Sequence, residues 1–193
     1  MSKLETNTID NISGSSTLNI GDTNTTTLNF DTGITSVTNI PSDLKMTPNF
    51  FVYRNSGGDQ SITANTATKV QFDDEFYDAD NVYDNSTNYR FTVPSGQAGK
   101  YWIYSALRVD GTSMNNGQIR IYKNGTGVTK DQNILSSATY SSISLKSYAA
   151  LDLSVGDYIE IFVFVSSGSS ITVDAKLDPM TVSYFGGYKL IGA

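Results

Sequence analysis

Residues 151–165 read LDLSVGDYIEIFVFV, and no other stretch of the chain is as dense in β-branched and aromatic residues. Leu151, Leu153 and Val155 alternate with polar residues, as one face of a half-buried strand requires. Gly156-Asp157 is a turn pair in which glycine is free to take a positive φ. Beyond it Ile159, Ile161, Val163 and Val165 fall on one face, with Tyr158, Glu160, Phe162 and Phe164 on the other. A strand with two phenylalanines on its second face is expected to be covered on both sides. A strand, a tight turn and a central strand in so few residues commit the chain to sheet.

The remainder agrees with that commitment. Charged residues make up 17% of the chain and apolar ones 38%, and Ser, Thr, Asn and Gly fill the gap. Hydroxyl and amide side chains suit the wet face of a sheet. No run of eleven or more residues shows a convincing helical period. Short strands are expected at residues 49–54, 61–63, 68–72, 89–93, 99–109, 117–124, 141–149, 171–175 and 181–191, with the lone Trp102 in the long 99–109 segment. Residues 73–84 read as an acidic loop carrying Phe76, Tyr77, Val82 and Tyr83. Eight to ten strands at short, regular spacing predict an all-β sandwich or jelly roll over residues 46–193.

Residues 1–45 are different. Their apolar residues are sparse, and two units align at a ten-residue period: Thr17-Leu18-Asn19-Ile20-Gly21-Asp22-Thr23 and Thr27-Leu28-Asn29-Phe30-Asp31-Thr32-Gly33. One copy of such a strandlet cannot bury enough surface to offset its ordering entropy. The segment is therefore either a disordered Thr/Asn-rich tail or a shaft held by copies of itself. The repeat motivates the second reading, with Leu18, Ile20, Leu28 and Phe30 as the packing residues of an anchor or β-shaft. Residues 40–48 carry two prolines and read as the neck.

Several function classes drop out early. The chain has 13 basic and 19 acidic residues, a formal charge of −6, and its scattered cations argue against a nucleic-acid partner. It has neither histidine nor cysteine, which removes Ser-His-Asp and Cys-His catalysis and the usual zinc ligand sets. Paired carboxylates remain for glycoside hydrolysis, and Asp73, Asp74, Glu75, Asp78, Asp80 and Asp84 are the candidates. A solvated acidic loop is the plainer reading of that cluster. Asp78, Asp80 and Asp84 could alternatively offer oxygen ligands to calcium, although the ordered D-x-D-x-D-G pattern is lacking. No other cofactor is expected. The N-terminus has no apolar stretch of signal-peptide type, and nothing approaches a membrane span. Folding in a cytoplasm and no membrane insertion are the expectations.

Five spaced features carry a resemblance. They are Tyr89-x-Phe91, Gly99-x-Tyr101-x-x-Tyr104, Asn124-Gly125, Leu151-x-Leu153-x-x-Gly156-Asp157-x-Ile159 and Phe185-Gly186-Gly187-Tyr188. In order and spacing, residues 46–193 resemble the jelly-roll domain shared by the complement globular head and tumour necrosis factor. The resemblance implies a tight homotrimer, often on an N-terminal stalk, with C-terminal strands along the threefold axis. It would place Tyr148, Tyr184, Phe185 and Tyr188 at that axis, and family members bind calcium near the trimer top. The polar segments 110–116 and 126–140 read as loops at the far end, where a ligand would touch. There is no Gly-X-Y repeat, so a collagen stalk is excluded.

A thin repetitive shaft before such a head looks like the fibre proteins of bacterial viruses. The expectation is a non-enzymatic virion structural protein on the particle surface. Residues 1–45 would bind other virion proteins, and the head would meet a host-surface glycan or protein. The alternative is a carbohydrate-binding or carbohydrate-degrading module.

Overall fold

The computed structural model describes residues 46–134, 139–175 and 180–190. The shaft residues Leu18, Ile20, Leu28 and Phe30 lie outside them. Thirteen strands follow in order: β1 (Asn49–Tyr53), β2 (Gln60–Ile62), β3 (Thr68–Lys69), β4 (Asp74–Asp78), β5 (Tyr83–Asp84), β6 (Arg90–Thr92), β7 (Gly99–Met114), β8 (Asn116–Lys123), β9 (Thr126–Ile134), β10 (Tyr140–Leu153), β11 (Tyr158–Val165), β12 (Ser169–Val173) and β13 (Tyr184–Lys189). No described residue is helical, so no described helix is long and apolar enough to cross a membrane.

The strands form two antiparallel sheets. A seven-stranded sheet runs β2-β12-β7-β13-β1-β4, with β10 also paired to β7. A six-stranded sheet runs β5-β6-β11-β8-β9, with β3 also paired to β11. The strands expected at 141–149 and 151–153 are one strand, β10. Its inward positions Ile143, Leu145, Ser147, Ala149, Leu151 and Leu153 never break alternation, and they face Val109, Leu107, Ser105, Ile103, Tyr101 and Gly99 of β7. Period-two patterning that holds from Ile143 to Leu153 leaves no place for a turn.

Between the sheets lies a largely apolar core. Phe50 stacks on Phe91 with centroids 4.8 Å apart and meets Phe185 edge-on at 4.9 Å. Ile103, Leu107, Ile119, Ile121 and Leu145 are wholly buried around them. Each such side chain contributes about 1.5–3 kcal/mol of transfer free energy.

Residues 110–116 and 126–134 are not the loops that their polarity suggests. β7 continues through Met114, β8 starts at Asn116, and β9 pairs with β8 from Thr126 to Ile134. Asn124 and Gly125 take φ of 51° and 77°, the doubly positive geometry of a tight two-residue hairpin turn. An edge strand is commonly polar, which hides it from hydropathy reading. The acidic segment 73–84 likewise contains β4 and β5 rather than a continuous loop.

Ile159, Ile161, Val163 and Val165 of β11 are buried as expected. The second face was expected to be covered as well. Its own neighbours shield it: Phe162 stacks on Tyr122 at 4.2 Å, Arg120 lies 4.9 Å above the Phe164 ring, and Arg90 lies 4.2 Å above that of Tyr158.

Candidate functional site

The outward face of the seven-stranded sheet collects aromatic side chains from five strands. Alternation turns Phe51 and Tyr53 of β1, Tyr184 and Tyr188 of β13, and Trp102 and Tyr104 of β7 away from the core. The Phe51 ring is the hub. Its centroid lies 5.2 Å from Tyr184, 5.4 Å from Phe76, 6.2 Å from Tyr77 and 6.3 Å from Tyr104. Phe76 also stacks on Tyr53 at 4.5 Å. Further along, Trp102 stacks on Tyr148 of β10 at 5.7 Å.

Two local devices build this surface. The register of β1 against β4 shifts between Phe51 and Val52, opposite Tyr77 and Glu75, so Phe76 is the extra residue of a bulge. The bulge lets the consecutive Phe76 and Tyr77 both stay exposed beside Phe51, at 57% and 49%. The second device is Gly186, opposite Tyr104 in the β13–β7 register. A Cβ there would lie 2.5 Å from the Tyr104 hydroxyl, so the glycine lets the phenol lie flat across β13. Burial, then the neighbouring Tyr77, push the Tyr104 phenol far above the usual tyrosine range. It stays neutral and serves as an apolar ring with one polar tip.

The residues expected at a threefold axis divide. Tyr184 and Tyr188 are half-buried on this face, and Tyr148 is 67% exposed beside Trp102. Phe185 does not belong there. It is fully buried among Phe50, Phe72 and Tyr83, because its neighbours Tyr184 and Gly186 take the outward positions on β13. Phe51, Phe76, Tyr77, Trp102 and Tyr104 complete the surface and were absent from the expected set. The alternation of NFFVY carries a signal for Phe51, whereas Phe76 depends on the bulge.

The acidic segment is structural. Asp73 accepts from Arg54 Nη1 at 2.9 Å, and from the backbone N–H of Asn55 and Gly57 at 2.7 and 2.6 Å. Asp74 accepts from the Tyr53 hydroxyl at 3.1 Å and from the Asn55 amide at 2.6 Å. Asp78 accepts from the backbone N–H of Val82 and Tyr83. Asp84 accepts from those of Ser86, Thr87 and Asn88, with Thr87 foremost in holding its carboxyl well below the ordinary range. Asp78, Asp80 and Asp84 are therefore not a ready calcium shell: two of the three already spend their oxygens on loop amides. Among the described residues no three acidic side chains converge as a metal-binding group. Of the six carboxylates considered for glycoside hydrolysis, these bonds engage Asp73, Asp74, Asp78 and Asp84.

A separate charged cluster sits farther along β7. Arg108 Nε lies 3.0 Å from Asp174 Oδ2, and Arg108 Nη2 lies 3.2 Å from Asp110 Oδ2. Asp174 is 4% exposed. Burial foremost, then the Asp110 and Asp59 carboxylates, raise its carboxyl to about 6.

No protein-family model matches the chain, and no curated protein matches it in sequence. Solved structures do match. The globular domain of a zebrafish complement 1qA protein superposes with a TM-score of 0.53 at 20% identity, covering 75% of this chain and 98% of that one. The Eiger tumour necrosis factor of S. frugiperda superposes with a TM-score of 0.52 at 15% identity, covering 75% and 93%. Residues 46–190 thus have the jelly-roll fold that complement globular heads and tumour necrosis factors share.

Proposed function

We propose that this chain is a homotrimeric structural protein of a virus particle, a fibre or decoration component that carries its jelly-roll head outward. The observation that carries the assembly is the aromatic face around Phe51. Contiguous exposed apolar surface of this kind on a soluble domain marks an interface. The outward positions of β7 from Trp102 to Ala106, and of β13 from Tyr184 to Tyr188, bear no charge. Such a face suits copies of itself, and closed rotational symmetry lets three copies cover it completely.

The virion role is supported by the ten-residue repeat before the head, which would pack as a shaft and attach to other virion proteins. The head acts by contact rather than catalysis, since the acidic side chains of residues 73–84 are largely occupied by Arg54, Tyr53 and loop amides. Three identical heads raise avidity for a repetitive host surface without a strong single site.

Native mass spectrometry of the full chain tests the assembly, with a mass of three chains expected and a monomer overturning it. Incorporation into particles tests the attachment. A chain lacking residues 1–45 that still enters particles would refute the anchor.

A further inference from the structure

The outer face of the six-stranded sheet is a second surface, built from rings and cations together. Register places Phe162 beside Arg120, Glu160 beside Tyr122, and Arg120 beside Lys130. Lys69 neutralises Glu160 at 2.8 Å. Arg90, Arg120 and Lys130 form no ion pair among the described residues. Three cations that form no ion pair among the described residues thus share one sheet face in a chain whose formal charge is −6, with Asp84 beside Arg90 in the β5–β6 register. Arg120 is held in place, with Nε and Nη2 both donating to Gln118 Oε1 while its plane covers the Phe164 ring. Arg90 lies over the Tyr158 ring, 4.2 Å from its centroid.

Beside Arg120 lies an open groove of about 290 Å³, walled by Arg120, Tyr122, Gly127, Val128, Thr129 and Lys130. That is near the lower bound of small-ligand pockets, roughly 300 Å³. Gly127 matters here: a Cβ would sit 3.4 Å from the Tyr122 ring, so the glycine keeps that ring open to the groove. Val128 adds an exposed apolar side chain.

We infer that this face binds an acidic polysaccharide, with one sugar ring against Tyr122 in the groove and its carboxylates on Arg120, Lys130 and Arg90. The chemistry matches on both counts. The C–H face of a pyranose packs on the negative face of an aromatic ring. A fixed guanidinium takes a carboxylate in two parallel hydrogen bonds, which a mobile ammonium does not. An elongated ligand also suits cations spread over β6, β8 and β9 better than a small anion would. The inference deepens the host-contact reading above by naming the ligand class, yet the face belongs to one chain and does not require the trimer. A trimer would repeat it three times, raising avidity.

Affinity electrophoresis of the full-length protein in gels containing polygalacturonate, polyglutamate or neutral dextran tests the inference. Polygalacturonate should retard the protein at about 0.15 M salt, where unspecific long-range attraction is largely screened. Retardation by polyglutamate, which has the charge but no sugar ring, should be about tenfold weaker or less, and dextran should have no effect. The Arg120→Gln/Lys130→Gln variant should lose polygalacturonate retardation by about tenfold or more, with its native mass unchanged. The Lys100→Gln variant, altered on the other sheet, should retain it. Three results would overturn the assignment: no retardation by polygalacturonate, equal retardation by polyglutamate, or equal loss in the two variants. Loss of the trimer would instead show in the mass and would leave single-chain binding in place.

Discussion

The two sheets of this sandwich present outer faces of opposite character from the same alternation of residues. On the seven-stranded sheet, Phe51, Phe76, Tyr77, Tyr104 and Tyr184 meet one another and no cation lies over them. On the six-stranded sheet, Tyr158 and Phe164 each lie beneath a guanidinium, and Tyr122 pairs with Phe162. Rings that meet only rings are best covered by more apolar surface. Rings edged by fixed cations keep a wet face and select a ligand that is itself both ring and charge. The difference shows that aromatic content alone does not define an interface; the polar groups interleaved with it set the partner.

The comparison breaks most sharply within one dipeptide. Tyr184 and Phe185 are adjacent, yet Phe185 is 0% exposed and Tyr184 faces outward. Phe185→Ala should cost about 3–5 kcal/mol of folding stability in chemical denaturation. Tyr184→Ala should cost the isolated fold under about 1 kcal/mol, because no core cavity opens. Equal losses would mean that the two side chains do not occupy opposite faces.

Assembly gives the next effect. Phe51→Asp places a charge at the hub of the aromatic face, and self-association should weaken by about 100-fold or more, equivalent to about 3 kcal/mol. Native mass over a dilution series reads it directly. An unchanged assembly would move the interface elsewhere on the molecule.

Charge linkage on the rim of the first face should be smaller. The carboxyl of Asp174, raised to about 6 by burial, binds its proton more tightly in the folded chain than in the unfolded one. Its contribution is therefore present in full below about pH 4, declines as pH rises through 6, and then levels. Denaturation of the Phe51→Asp chain should show stability falling by about 1–2 kcal/mol across that window, and Asp174→Asn should flatten the slope. Asp157 acts in the opposite sense at lower pH. The Lys123 ammonium foremost, then Asn124, hold its carboxyl at about 2, so its stabilisation is present above about pH 4 and lost as pH falls through 2. A slope that survives Asp174→Asn would assign the titration to another group.

The smallest effect belongs to the second face. Arg90→Gln removes the guanidinium over Tyr158 and should cost about 0.5–1 kcal/mol in the same denaturation. Zero cost would make Arg90 a free ligand-binding cation rather than a held one.

How much of this was legible beforehand depended on the range of the interaction that specified it. Alternation in IEIFVFV placed Ile159, Ile161, Val163 and Val165 inside without reference to any partner. Asn124-Gly125 carries a local hairpin signal, since few residue pairs accept two positive φ values. β9 escaped notice, because an edge strand of Thr, Gly, Lys, Asp and Gln has no apolar rhythm and is defined only by the β8 backbone beside it. The resemblance put Phe185 at the axis together with its whole strand, and only its alternation with the outward Tyr184 and Gly186 turns it into the core.

The amino-acid sequence alone therefore determined the all-β class, the absence of histidine and cysteine chemistry, and the inward face of the central strand. Each of these follows from residue type or from spacing along one strand. Tertiary structure decided which aromatics meet. Phe51 gathers Phe76, Tyr77, Tyr104 and Tyr184 from strands as far apart in sequence as β1 and β13. It also decided that Asp78 and Asp84 accept from backbone amides of their own loops. Cross-strand register and a bulge set those outcomes, and both arise from pairing between segments distant in sequence.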